Sequence, residues 1–382
     1  MFITRRKFFR NACQLGKAGL FMIAGGSLLQ NGCTFREEEE MGGNGTIEEK
    51  SGIARPGSEK NLDKKGVANF EPSYKRLEAE GKLKDRIEQA YDIMEDCSLC
   101  PRHCGINRLN GEIGFCTTGE KAVVYSHQPH FGEEAPLVGN NGSGTIFFSN
   151  CNLRCVFCQN WPIAHEGEGS EVEDEELADM MLDLQNRGCH NINLVTPTHV
   201  VPNILNATRI ALKQGLEIPL CFNTSGYENV EQIQRLNDIV DIYLPDLKFM
   251  DGNESERYNE ADARDYPEVT QEAIKEMHLQ VGNLSTDERG VAKRGIVLRH
   301  LVMPNRVSGP KDFAYWVAEN LDKDTYVNIM AQYRVEYNAF DYERISRAIE
   351  PEEFIEAIEW AKDAGLTNID DRAMSQYHRY IS

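Results

Sequence analysis

The stretch Gly142–Trp161, GSGTIFFSNCNLRCVFCQNW, carries Cys151, Cys155 and Cys158 in a C-x3-C-x2-C arrangement. Three thiols so spaced are prospective metal ligands. A closed structural zinc site normally takes four. Three suit a cubane iron–sulfur cluster with one iron left without a protein ligand. Asn152, Arg154 and Asn160 make the stretch polar, and Phe157 stands directly before the last cysteine. Upstream lies a second set, Cys97, Cys100, Cys104 and Cys116, spaced C-x2-C-x3-C-x11-C. Pro101, Gly111 and Gly114 within it fit a knuckled loop, not a helix. Four clustered cysteines hold either a structural Zn²⁺ or a second iron–sulfur cluster, and spacing does not choose between them. A pair of disulfides is the competing reading, and the tight C-x2-C ring speaks against it. His103 reads as a solvent-facing neighbour of these ligands.

Thr145–Phe148, β-branched and aromatic, predicts a short buried strand leading into the three-cysteine loop. Beyond the loop the patterns alternate. Helices are expected over Glu173–Arg187, Val201–Gln214, Val230–Leu236, Pro267–Leu284, Lys311–Asn320 and Pro351–Ala364. Strands are expected over Asn191–Val195, Pro219–Asn223, Ile239–Leu244, Gly295–Met303 and Tyr326–Met330. Such alternation means parallel pairing with right-handed crossovers. The expected fold class is therefore α/β, a partial (βα)6 TIM-like barrel with an N-terminal cysteine-rich metal-binding segment. About six repeats fit after Gly144, short of the eight of a full barrel.

Chemistry in such folds collects at the C-terminal ends of the strands. The first strand ends in the cysteine loop. The next ends are Thr196–Pro197–Thr198–His199, then Asn223–Thr224–Ser225–Gly226, then Pro245–Asp246–Leu247–Lys248. The fifth strand carries Arg299 and His300 and ends in Met303–Pro304–Asn305; the sixth ends in Met330–Ala331–Gln332–Tyr333. Each set alone reads as an ordinary loop start. Together on one rim they predict a shared site.

The chain has 382 residues and a formal net charge of −20, which argues against a nucleic-acid partner, since that needs a basic footprint. No G-x-S-x-G, P-loop or Rossmann glycine fingerprint is present. Of the remaining cysteines, Cys189 and Cys221 sit in apolar stretches and read as core thiols.

Residues 1–33 differ from the rest. A basic start is followed by the apolar run Ala18–Leu29, too short for a comfortable membrane span. Arg5–Arg6 with Phe8 and Phe9 resembles a twin-arginine export signal, and Leu28–Cys33 resembles a lipoprotein cleavage site. The expected location is therefore exported or membrane-anchored; the alternatives are an uncleaved N-terminal anchor or an accidental amphiphile, and a cytoplasmic protein. Residues 34–67 read as a disordered tether. Residues 68–142 hold a helix, expected over about Pro72–Glu95, and the four-cysteine segment; the barrel occupies 143–382.

The three-cysteine motif with its aromatic resembles that of the radical S-adenosylmethionine superfamily. SGTIFFSNCNLRCVFCQN looks like the branch containing pyruvate formate-lyase activating enzyme, and CSLCPRHCGINR…GEIGFC resembles relatives with four cysteines ahead of the main motif. The resemblance implies a [4Fe–4S] cluster on Cys151, Cys155 and Cys158, with S-adenosyl-L-methionine chelating the open iron. Reductive cleavage of that cofactor would give a 5′-deoxyadenosyl radical for hydrogen abstraction. The family's Asp-Leu-Lys matches Asp246–Leu247–Lys248, and its Asp-Thr-Asn-Gly appears as Asn223–Thr224–Ser225–Gly226. Its Gly-Gly-Glu is replaced by Thr196–Pro197–Thr198–His199. Arg299 falls where the family has an arginine near the adenosyl group, with a buried structural ion pair as the other reading. The cofactor-binding residues so implied are Phe157, Asn160, Thr224, Ser225, Asp246, Lys248 and Arg299. Implied partners are a reducing donor such as a flavodoxin or ferredoxin and a protein or small-molecule substrate. A glycyl-radical activase-like enzyme is one form of this reading. The competing class is a non-catalytic iron–sulfur electron carrier, which would bring Cys189 or Cys221 in as a fourth ligand.

Overall fold

The computed structural model describes residues 70–260 and 262–382. The expected export signal and tether, with Cys13 and Cys33, lie outside the described residues. Among those described, no helix is long and apolar enough to cross a membrane.

Nine strands form a mixed sheet: β1 (Ala122–His130), β2 (Ser143–Phe148), β3 (Ser170–Val172), β4 (Ile192–Val195), β5 (Leu220–Thr224), β6 (Ile242–Pro245), β7 (Ser285–Thr286), β8 (Ala292–Leu301) and β9 (Tyr326–Met330). β2, β4, β5, β6, β8 and β9 pair in that order, all parallel. These are the six strands expected from the sequence, consistent with a partial barrel. β1 was not anticipated. It pairs antiparallel with β2 and with β3, so the sheet runs across the expected boundary at residue 142.

Alternation along each strand sends side chains to opposite faces. Phe222, Tyr243, Ile296 and Leu298 join the large apolar cluster that packs on the helices, together with Cys189. Cys221, Ile242, Leu244 and Val297 join a smaller cluster on the other, inner face. Burial on both faces explains why these strands read as near-continuous apolar runs. The same parity puts Asn223 and Arg299 on the inner face, two residues beyond Cys221 and Val297, where β5 and β8 approach their C-terminal ends.

The crossover helices begin with their own caps. Glu173 and Glu176 form a reciprocal capping box at the start of Asp174–Asn186, as Glu350 and Glu353 do for Pro351–Asp363. The single helix expected over about Pro72–Glu95 is instead two, Ser73–Ala79 and Lys82–Asp92, followed by a 3₁₀ turn. Gly81, at φ +73°, takes the left-handed conformation that ends the first. A further helix, Asp371–Ile381, follows the last one expected, with the Asp370 carboxylate accepting from the Arg372 and Ala373 amides.

Candidate metal and cofactor site

The loop after β2 leaves the sheet through two left-handed residues, Asn150 (φ 71°) and Arg154 (φ 55°), which turn the chain back on itself around Cys151. Other rim loops hold it in place. The Val156 amide donates to the Tyr258 carbonyl at 2.9 Å, and the Glu260 amide to the Arg154 carbonyl at 3.0 Å. The Asn338 amide donates to the Val156 carbonyl at 3.0 Å. The Asn152 amide group donates to the Tyr227 carbonyl at 2.7 Å. Phe157 turns its ring into the core against Phe249 and Tyr333, so its side chain anchors the loop. Asn160 is exposed at the start of the short helix Trp161–Ala164.

Cys151 and Cys155 are buried, Cys158 is half-buried, and none is in a disulfide. Burial pushes the Cys155 thiol up, and it pushes Cys158 up to about 12. The Cys158 amide donates to the Cys155 carbonyl at 3.2 Å and the Leu153 amide to Cys151 Sγ at 3.4 Å, so tight turns carry the three thiols round one loop. Among the described residues, however, no three His, Cys, Asp or Glu side chains are gathered to hold a single metal ion.

Beside the thiols, the ends of β5, β6 and β8 converge on a buried charge network. Arg299 donates from Nε to Asp246 Oδ1 at 2.9 Å and from Nη2 to Asn223 Oδ1 at 2.6 Å. Its Nη1 faces Glu133 Oε2 at 3.4 Å. Lys248 Nζ pairs with the other Asp246 oxygen. Burial alone would raise the Asp246 carboxyl, but Arg299 and Lys248 together outweigh it and hold the group below its usual range. Burial would likewise lower Lys248, but Asp246 and the Cys155 charge keep it above its ordinary value. Arg299 thus makes the buried ion pair that was one of its two readings. The Lys248 charge in turn works against the burial of Cys155 and Cys158.

Glu133 was not anticipated. It precedes the turn Ala135–Val138, which crosses the inner face of the sheet: Glu134 Oε1 accepts from Asn328 on β9 at 2.8 Å, and the Leu137 carbonyl from Asn191 beside β4 at 2.9 Å.

Glu228 was missed too. Only 1% exposed, its Oε1 accepts from the Thr198 hydroxyl at 2.5 Å and from the Thr224 hydroxyl. It thereby ties the end of β4 to the end of β5. Burial raises its carboxyl to about 7, against the lowering effect of both threonines. Two residues earlier stands Gly226, at φ +86°. A Cβ there would lie 2.3 Å from the Asp246 carbonyl oxygen and 2.5 Å from Thr270 Cγ2, so glycine fits this close approach and other residues do not. The buried Tyr266 hydroxyl accepts the Lys248 amide at 2.9 Å and lies 2.8 Å from the Ser225 carbonyl oxygen.

The two rim histidines are structural. His199 Nε2 bonds the Ser149 carbonyl at 2.8 Å, and His300 Nδ1 the Leu247 carbonyl at 2.6 Å. Burial lowers each to about 4, so both rings are neutral.

The profile of the radical SAM superfamily matches residues 145–286, from β2 to β7. An uncharacterized protein of Methanocaldococcus jannaschii, MJ0674, is 33% identical over 297 residues, which cover 75% of this chain and 80% of that one. The chain belongs to the radical SAM superfamily. A second uncharacterized protein of the same organism, MJ0808, is 26% identical over 38% of this chain and 49% of its own length. Among solved structures, the [FeFe]-hydrogenase maturase HydG aligns with a TM-score of 0.41 and 10% identity, over 60% of this chain and 53% of that one. Methylornithine synthase PylB aligns at 0.39 and 13%, over 62% and 68%.

Radical SAM membership implies a [4Fe–4S] cluster and S-adenosylmethionine. The donor set fits. All three thiols lie outside any disulfide, and burial disfavours the Cys155 and Cys158 thiolates unless cationic iron takes up their charge. Cys189 and Cys221 pack in the two apolar clusters and do not complete the set to four.

Proposed function

We propose that the chain is a radical S-adenosylmethionine enzyme whose reactive cluster sits on Cys151, Cys155 and Cys158. When bound, the cluster and S-adenosylmethionine supply reductive carbon–sulfur cleavage and a 5′-deoxyadenosyl radical that abstracts hydrogen. The protein's part is placement. Lys248, held by Asp246, is the cation available to a carboxylate. Arg299, tied to Asp246, Asn223 and Glu133, fixes the wall behind it. Thr224 and Ser225 belong to the adjoining wall, with Thr224 bound to Glu228. Asn160 reaches the rim from the solvent side. The observation that carries this reading is the trio of thiols, two buried and one half-buried and none in a disulfide, at the end of the first of six parallel strands.

Protein reconstituted with iron and sulfide without oxygen, then reduced with S-adenosylmethionine present, is expected to release 5′-deoxyadenosine. A fully loaded, reducible protein that releases none would sink the reading.

The glycyl-radical activase-like form, with a partner protein's glycine as hydrogen donor, rests on the likeness around Cys151 and at Asp246–Leu247–Lys248. A flavodoxin or ferredoxin would serve as reductant. The twin-arginine-like start supports an exported or membrane-anchored enzyme, since that route carries folded, cofactor-loaded proteins, with a cytoplasmic protein as the alternative.

A further inference from the structure

The four upstream cysteines are interlocked with the three-thiol loop. Arg102, between Cys100 and Cys104, donates from Nε to the Asn152 carbonyl at 2.9 Å, one residue past Cys151. Its other nitrogens reach the Glu260 and Asp262 carbonyls at 3.2 and 3.0 Å. Its guanidinium lies 4.2 Å over Phe115, directly before Cys116, and 5.2 Å from Tyr227. The same Phe115 ring meets Arg154, directly before Cys155, at 5.6 Å. Asn150, directly before Cys151, exchanges side-chain hydrogen bonds with Thr117 and Thr118 at 2.9 and 3.0 Å, just past Cys116.

These contacts bound a distance. Thr117 and Asn150 are each one residue from a ligand, and neighbouring α-carbons are about 3.8 Å apart. The α-carbons of Cys116 and Cys151 are therefore separated by roughly 16 Å at most.

The upstream thiols also form one group. Cys97, Cys100 and Cys116 are buried and Cys104 half-buried, none in a disulfide. The Gly105 amide donates to the Cys97 carbonyl and the His103 amide to the Cys100 carbonyl, both at 3.1 Å, and a Cβ on Gly114, two residues before Cys116, would lie 2.9 Å from Cys104 Sγ. Zn²⁺ and a [4Fe–4S] cluster both take four thiolates. The seat of this group within roughly 16 Å of the Cys151 loop favours the redox-active one.

We propose that Cys97, Cys100, Cys104 and Cys116 hold a second [4Fe–4S] cluster that passes electrons to the strand-end site. The redox balance is simple. The second cluster takes one electron from an external low-potential donor of the flavodoxin or ferredoxin class and gives up one electron toward the Cys151 loop. No bond is made or broken at the relay. Its four thiolates leave no iron open, which suits a carrier and not a catalyst. Beside it, Pro101 and Arg102 line an open groove of about 760 Å³, with Tyr227, Asp262, Arg264 and Asp265. The relay role, though not the site, rests on the radical reading above.

The deciding experiment uses the full chain with Cys151, Cys155 and Cys158 all replaced by alanine, reconstituted without oxygen. About four irons and four sulfides per chain should remain, with the spectrum of a reducible cubane. One zinc without iron, or no metal, overturns the proposal. In the unaltered protein, reduction of both clusters should split or broaden their electron paramagnetic resonance signals through mutual interaction. Two non-interacting signals would overturn the relay and leave the site. A protein with both clusters that still releases no 5′-deoxyadenosine would instead count against the catalytic reading alone.

Discussion

The three-thiol loop and the four-thiol segment are held in place by different means. The first is pinned from outside, through the bonds of Arg154 and Val156 to Tyr258, Glu260 and Asn338. The second is tied outward by side chains, Arg102 to Asn152 and Thr117 to Asn150, but its backbone closes mainly on itself: the Cys97 amide donates to Ile106, Gly105 donates back to Cys97, His103 to Cys100 and Thr117 to Gly114. A loop whose backbone is anchored by its neighbours keeps its shape before a metal arrives. A knuckle whose backbone closes mainly on its own turns draws more of its order from the metal it binds. One loop can therefore leave a coordination position open, while the other needs all its ligands.

That contrast is broken or sharpened most strongly at the cysteines. Cys155→Ala should abolish 5′-deoxyadenosine release while leaving amide exchange across residues 97–118 unchanged. Cys100→Ala should do the reverse in structure, with protection of residues 97–118 lost. Equal loss of protection in both variants, followed by hydrogen exchange, would erase the distinction.

A smaller effect is expected at Asp246, which supports the pinned loop from below. Asp246→Asn leaves Arg299 and Lys248 without their shared counter-ion in a buried setting. Breaking such a pair from one side costs about 3–5 kcal/mol. Denaturant unfolding of the variant at neutral pH gives the figure, and a change under about 1 kcal/mol would show that Glu133 alone suffices.

The smallest effect belongs to Glu228, which bonds the strand-end threonines and is also felt by Cys100 on the other side. Its carboxyl is raised from 4.5 to about 7 in the folded chain. Between those values the folded protein keeps a proton that the unfolded chain has released. Stability therefore falls as pH rises through that window and is flat above it, by up to roughly 3 kcal/mol. Glu228→Gln keeps an acceptor for both hydroxyls and should remove this slope, raising the melting temperature at pH 7.5 above that of the unaltered chain. An identical pH profile for both proteins would show that Glu228 does not titrate there.

Much of this was legible in the sequence, for physical reasons. Buried parallel strands read as apolar runs, and Tyr326–Met330 forms with the bounds its β-branched pattern gives. The Cys151 spacing and Asp246–Leu247–Lys248 are contiguous, so their chemistry is visible in one line of text. Glu133 and Glu228 are not. Each lies in a short irregular turn, next to another acidic residue or an asparagine, and becomes a site residue only when a strand from elsewhere arrives beside it. β1 was hidden because Ser126, Gln128 and Pro129 interrupt the apolar alternation that marks a strand. The helix Asp371–Ile381 buries mainly Ala373 and Tyr377, too little apolar surface to announce itself.

The turn Ala135–Val138 has a wider consequence. With Leu137 packed among Cys221, Ile242, Leu244 and Val297, it closes the inner side of the sheet below the charge network. A chain segment from ahead of the first parallel strand thus plugs the inner face, so a bulkier side chain at Leu137 would push on β5, β6 and β8 at once and disturb Asn223, Asp246 and Arg299 from a distance.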